Sequence, residues 1–183
     1  MITDADVAAF EECIAGGGVA VFPTDTLYGV GCRADSEEAV ARVYELKGRP
    51  AEKPSAVMYF SLDALPPVGP RTRGALERLL PGPVLVVLPG GVGVRVPDFP
   101  ALAGVSVPVL QTSANLSGGP DPRRLADVPA SMRDGADLLL DGGELPGVPS
   151  TVVDLGRYEE AGEWEMLREG AVPRAQLADL LDS

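Results

Sequence analysis

Val84-Leu85-Val86-Val87-Leu88-Pro89-Gly90-Gly91-Val92-Gly93-Val94-Arg95-Val96 is the stretch on which the fold turns. Its first five residues are continuously apolar, the pattern of a buried strand. A second strand-like run begins after Gly90-Gly91. A two-glycine link between such runs fits a hairpin, whose central residues need positive φ. Hairpins join antiparallel strands, so the stretch points to a mixed sheet and away from a doubly wound parallel one.

Working outward, apolar runs at 19–22, 55–60, 105–111, 138–140, 151–155 and 164–167 read as further strands, seven or eight in all. Pro108 is tolerated only at an edge or a strand start. Thr3 caps a helix over 4–15, with Asp6 completing a capping box and Gly16-Gly17-Gly18 ending it. Ser36 caps a second helix over 37–47, and Gly48 stops it. A weak helix at 62–65 and longer ones at 71–80 and 173–181 complete the set, with short helical pieces in 123–134. The strands and helices do not alternate strictly, which places the chain in the α+β class. Residues 24–34 mix small, hydroxylated and glycine residues and read as a loop that approaches a ligand closely. Residues 112–121 read as another loop. No internal repeat interrupts the chain, so 1–183 is expected to be a single domain.

The formal charge is −12, but it is unevenly spread. Residues 47–126 carry net +4, between flanks of −7 and −9, so an anionic ligand is expected in the middle third. The overall sign argues against broad nucleic-acid binding, although a basic cavity could still grip one RNA strand. The absence of histidine removes histidine general bases, Ser-His-Asp triads and histidine-ligated metals. No metal ligands are assigned. Two cysteines do not make a disulfide framework. The first residues are acidic and no apolar run is long enough to span a bilayer, so neither a secretory signal nor a membrane segment is expected. A cytoplasmic location follows as the default.

Four polar clusters follow apolar strands or a helix: 24–28, 47–53, 112–117 and Ser150-Thr151. Arg95 and Arg168 lie in or at the end of strands. Strand-end loops are where α/β sheets place ligands. Both lysines of the chain, Lys47 and Lys53, fall within seven residues of each other, with Arg49 between. A Lys-x-Arg pair offers a point charge and a planar fork to phosphate. It could also only complement a helix C-terminus. Ser113 and Asn115 could equally be turn formers. Neither GxxxxGK[ST] nor a strand-following GxGxxG is present, so a nucleotide would be held by side chains.

An ordered set of motifs carries a resemblance. The set is Pro23-Thr24-Asp25-Thr26-Leu27-Tyr28-Gly29, Lys47-Gly48-Arg49-Pro50 with Lys53-Pro54, Pro81-Gly82-Pro83 and Arg95-Val96-Pro97. It continues with Thr112-Ser113-Ala114-Asn115-Leu116-Ser117-Gly118, Pro149-Ser150-Thr151-Val152-Val153-Asp154 and Arg168-Glu169-Gly170. Together these resemble the YrdC family, whose best-known activity is threonylcarbamoyl-AMP synthase. The resemblance implies a twisted mixed β-sheet with flanking helices around a large concave, cation-lined cavity. It implies that L-threonine, bicarbonate and ATP become threonylcarbamoyl-AMP and pyrophosphate, for use by downstream tRNA-modifying proteins. By the same resemblance Lys47 and Arg49 are catalytic. Lys47, Arg49 and Lys53 hold the triphosphate of ATP with Mg²⁺ bridging it, and Ser113, Asn115 and Arg168 contact the nucleotide. Thr26, Tyr28, Gln111 and Ser150 face threonine or its carbamate. The chain departs from the family pattern at Met58, in place of a histidine, at Leu85, in place of a threonine, and at Pro89-Gly90, where a basic residue is expected. Gln111 stands where a small or hydroxylated residue is common. These departures are expected to face the substrates. The alternative reading is a divergent paralogue that binds nucleotide or RNA without the synthase reaction.

Overall fold

A computed structural model describes residues 2–48 and 55–182 of the chain. Arg49, Pro50, Ala51, Glu52, Lys53 and Pro54 therefore lie outside the described residues. The first helix, α1 (Asp4–Ala15), starts at the expected box: the Thr3 side chain accepts from the Asp6 N–H, and the Asp6 side chain accepts from the Thr3 N–H. The second, α2 (Glu37–Lys47), is capped by Ser36 and stopped by Gly48, whose φ of 57° a Cβ would strain.

Among the described residues there are nine strands, β1 (Val19–Pro23), β2 (Tyr28–Arg33), β3 (Ala56–Met58), β4 (Val84–Leu88), β5 (Val92–Arg95), β6 (Val109–Ser113), β7 (Leu138–Leu139), β8 (Thr151–Arg157) and β9 (Glu163–Arg168). They form one sheet in the order β7-β1-β2-β6-β3-β5-β4-β8-β9. The β4–β5 hairpin is antiparallel, with Gly90 and Gly91 at φ 85° and 81°. The pairs β1–β7, β3–β5 and β4–β8 are parallel, so the sheet is mixed, as the hairpin foretold.

Two strand readings are corrected. Residues 28–33 are strand β2, not part of a ligand loop. Tyr28, Val30 and Cys32 alternate with Gly29 and Gly31, and the glycines hide the period of two that marks a strand. Strand β6 begins after Pro108, which has no N–H to donate, and runs on to Ser113 because Thr112 and Ser113 pair with Val30 and Gly29.

Register divides the sheet into two faces. Cys32, Leu110, Val57, Val94, Val86 and Val153 stand opposite one another in turn across six strands, so they share the back face. Helix α2 and α4 (Ala130–Gly135) cover one half of that face. The other half lies under α3 (Pro70–Leu79), α5 (Tyr158–Ala161) and α6 (Arg174–Leu181). On the front face α1 packs Phe10 on Phe22, ring centroids 4.9 Å apart, with Met58, Phe60 and Leu102 around them. Burying each of those aromatic side chains contributes about 2–3 kcal/mol. The rest of the front face is left open.

Candidate active site

The open part is a cavity of about 370 Å³. Its floor includes small residues on the front face, Gly29 of β2 and, beyond β6, Ala56 and Gly93 of the neighbouring strands β3 and β5. A Cβ on Gly93 would lie 3.3 Å from that of Ala56, and one on Gly29 would lie 3.1 Å from the Gln111 Oε1. Leu85, Val87 and Val152 make an apolar wall. The polar wall is Thr24, Thr26, Ser113, Ser150, Arg95 and Arg168.

Arg95 is the hub of that wall. Its Nη2 donates to the Thr26 hydroxyl at 2.9 Å and to the Asp25 carboxylate. Asp25 also accepts from the Asp98 N–H at 3.1 Å, so it locks the β1–β2 turn to the segment after β5. Burial lowers the pKa of the Arg95 guanidinium from its ordinary value; the Asp25 carboxylate opposes this, and the nearby charge of Arg168 adds to it. Arg168 donates to the Ser150 carbonyl at 2.8 Å, which places β9 against the start of β8.

The expected site residues fall into three groups. Thr26, Gln111, Ser113, Ser150 and Arg168 line the cavity together. Arg49 and Lys53 lie outside the described residues. Lys47, Tyr28 and Asn115 are close by but turned to other work. Lys47 is buried, and its ammonium donates to the Asn115 carbonyl at 2.9 Å and the Asn115 Oδ1 at 2.8 Å, and to the Ser113 carbonyl. It is not among the residues that line the cavity; it stands behind Ser113 and fixes the loop that carries it. Asn115 serves the same loop: its Oδ1 accepts from the Ser113 hydroxyl and its Nδ2 donates to the Gly119 carbonyl at 2.7 Å. Tyr28 touches the cavity wall, but its side chain belongs to the back face. There its hydroxyl donates toward Asp141 and the Gly143 carbonyl and accepts from the Gly142 N–H. Burial is the main cause that pushes its pKa up to about 12.

Among the departures expected to face the ligand, Leu85 and Gln111 line the cavity; Pro89 and Gly90 do not, and the hairpin reaches it with Gly91 instead. Met58 does not either: it is wholly buried in the front-face core. Sequence reasoning named no role for Ser55, and it flagged Thr24, Asp25 and Arg95 as candidates without giving them a part in the site. A lone arginine in an otherwise apolar strand was the signal for the last, since a strand places every second side chain on one face.

Among the described residues no three His, Cys, Asp or Glu side chains cluster as a metal site, and no helix is long and apolar enough to cross a membrane.

Comparison with known proteins follows the same line. A family model described as "Telomere recombination" (Sua5/YciO/YrdC) matches residues 12–170. The threonylcarbamoyl-AMP synthase of Pyrococcus abyssi (strain GE5 / Orsay) is 33% identical over 187 residues, covering 90% of this chain and 54% of that protein. The threonylcarbamoyl-AMP synthase of Enterobacter sp. (strain 638) is 33% identical over 174 residues, covering 81% of this chain and 87% of that protein. The crystal structure of P. abyssi Sua5 complexed with L-threonine superposes with a TM-score of 0.88 at 31% identity, covering 99% of this chain and 58% of that one. The chain thus spans little more than half the length of the archaeal relative and most of the length of the bacterial one.

Proposed function

The chain belongs to the Sua5/YciO/YrdC family, and from that premise we propose that it is a threonylcarbamoyl-AMP synthase. L-Threonine, bicarbonate and ATP would react to give threonylcarbamoyl-AMP and pyrophosphate, the adenylate passing to proteins that modify tRNA. The observation that carries the reading is one front-face cavity in which two arginines, Arg95 and Arg168, meet the hydroxyls of Thr24, Thr26, Ser113 and Ser150 beside small residues. Relatives of both short and long build bear the synthase name, which supports it.

The chemistry asks for positioning and charge, and for no histidine and no covalent nucleophile. The threonine amine attacks the carbon of bicarbonate, and water leaves with the displaced hydroxyl and an amine proton. The resulting carbamate oxygen then attacks the α-phosphorus of ATP, and pyrophosphate departs. Gathering three reactants in one cleft removes most of the entropic barrier. Negative charge grows on phosphate oxygens in the transition state, and fixed guanidinium groups lining the cavity stabilise it. Mg²⁺ would enter with the nucleotide substrate and offset the charge of its phosphates. In this scheme Arg49, Lys53 and Arg168 hold the triphosphate and Thr26, Ser150 and Gln111 face threonine and bicarbonate. Lys47 and Asn115 hold Ser113 toward the nucleotide.

The test is to incubate the protein with labelled bicarbonate, ATP and a panel of amino acids. Label in an adenylate with threonine alone, released in step with pyrophosphate, is the expected result. Arg49→Ala should abolish pyrophosphate release in protein that still folds. No adenylate with any amino acid would sink the proposal and favour a module that binds nucleotide or RNA without the synthase reaction.

A further inference from the structure

A second cavity, of about 450 Å³, lies among α3, α5 and α6, the helices that cover half of the back face. Arg71, Gly74 and Arg78 reach it from one face of α3, where residues three and four apart are neighbours. Tyr158 stands between the two guanidiniums. That of Arg71 lies over its ring, 5.4 Å from the centroid, and Arg78 donates to its hydroxyl at 3.2 Å. Arg78 is tied down again by the Leu180 carbonyl, at 2.6 Å from its Nε. Gly162, the left-handed cap of α5 at φ 72°, lets Arg71 pass close by: a Cβ there would lie 2.2 Å from its Nη2. Among the described residues neither guanidinium has a carboxylate in ion-pair contact, although seven other arginines do. The chain has 27 acidic groups to 15 basic ones, so partners are not scarce. Gly74 is the second sign. A Cβ there would meet only the Arg78 Nη1, at an ordinary 3.6 Å, so the fold has room for alanine, which makes the better helix. What glycine keeps open is the space between the two arginines.

We infer that this cleft is an oxyanion site, separate from the synthase cavity, at which Arg71 and Arg78 bind a carboxylate or phosphate group. Guanidinium forks present paired N–H donors whose spacing matches both groups. Arg71 spends no side-chain donor on the rest of the described residues, and Arg78 spends only its Nε and Nη2. The carboxylates around the cleft are occupied or outnumbered. Glu159 is close enough to feel Arg71, but it accepts from the Thr72 N–H at 2.8 Å, at the start of α3. Asp182 lines the cleft and accepts from the Trp164 Nε1 at 2.7 Å. Two guanidiniums against that one carboxylate leave the lining with a single positive charge, which a small oxyanion neutralises. The site draws on none of the groups of the front face, so it stands independently of the synthase reading.

The test is an amide NMR titration of the whole protein with sodium acetate and with sodium phosphate, at an ionic strength held constant with sodium chloride. The Gly74 and Gly162 amides report this cleft, and the Gly29 and Gly93 amides report the synthase cavity. Saturable shifts of Gly74 and Gly162 are expected, and the anion that saturates them at the lower concentration names the group the site takes. Arg71→Gln and Arg78→Gln should each weaken the binding about tenfold, the loss of charge-assisted hydrogen bonds, and leave the responses of Gly29 and Gly93 as they are. Gly74→Glu sets a carboxylate between the two arginines at helical spacing, so it should abolish the anion-dependent shift of Gly162 and raise Tm with no anion present. It carries the test if an arginine variant folds poorly. Shifts no larger with acetate or phosphate than with chloride alone, or shifts that persist undiminished in the variants, would overturn the site.

Discussion

Arg95 holds its guanidinium where only 4% of the residue meets solvent, and its carboxylate partner Asp25 is almost as deeply placed. Such a pair is costly to form but far costlier to break, because the surviving ion stays buried without its counter-charge. Arg95→Met should therefore destabilise the fold by about 3 kcal/mol or more in urea unfolding, and Arg95→Lys by less. A loss below about 1 kcal/mol for the methionine variant would mean that Asp25 finds water readily, and that the turn does not depend on Arg95. Tyr28 gives a second test at this scale. Its folded pKa is raised from 10.0 to about 12. A raised folded value means that its contribution is whole below pH about 10 and is lost as pH climbs toward about 12. Unfolding measured from pH 8 to 11 should show stability falling above 10 in the wild type, and Tyr28→Phe should flatten that fall. An unchanged slope in the variant would refute the assignment. Lys47 shows what residue type can and cannot reveal. The scarcity of lysine flagged it, and it does sit at the edge of the site. Only the packing shows its ammonium aimed at the Ser113–Asn115 loop, because a long flexible stem can reach in several directions.

At the scale of elements, the signals that sequence carries best are those with local causes. The Thr3 and Ser36 caps, the Gly48 stop and the Gly90-Gly91 turn each depend on a few neighbouring residues, and all were legible. Strand β2 was not, because its period of two is written with glycine on the front face. Those glycines make sense only beside strands far away in sequence. A Cβ on Gly31 would lie 2.7 Å from the Leu110 carbonyl oxygen and 2.7 Å from Val109 Cγ1. A ladder carbonyl cannot move aside without breaking its pairing. Gly31→Ala should therefore cost about 1–3 kcal/mol, against the gain expected where alanine fits. Urea midpoints of the two proteins would show it; an unchanged or raised midpoint would mean that β2 and β6 can separate at that point. The same non-local logic explains the cavity. Gly29, Ala56 and Gly93 look like unrelated small residues along the chain, and become one floor only when β2, β3 and β5 join a common sheet. It also explains Met58, a departure expected to face the substrates that instead faces the α1 core, a choice that depends on a single residue of register.

For the whole molecule, the decisive contrast is between a net charge of −12 and a cavity walled by arginine. The expected convergence of mid-chain cations is corrected: among the described cations of residues 47–126 only Arg95 lines the cavity, and its partner there, Arg168, comes from the acidic C-terminal part. At that net charge long-range attraction for a polyanion is weak, and binding must come from contacts inside the cleft, where screening acts least. A ligand that binds only the folded state stabilises it by about 2.7 kcal/mol at a hundredfold excess over its Kd, which for a chain of this size raises Tm by about 5–10 °C. Mg²⁺-ATP at saturation should produce a shift of that order, and adenosine, which lacks the phosphates, should produce little at equal concentration. Arg168→Ala should lower the ATP shift and leave any adenosine shift unchanged, since the guanidinium is proposed to meet phosphate and not the base. If adenosine protected as well as ATP, the nucleotide would be held by its base and ribose. The cavity arginines would then serve some anion other than the triphosphate.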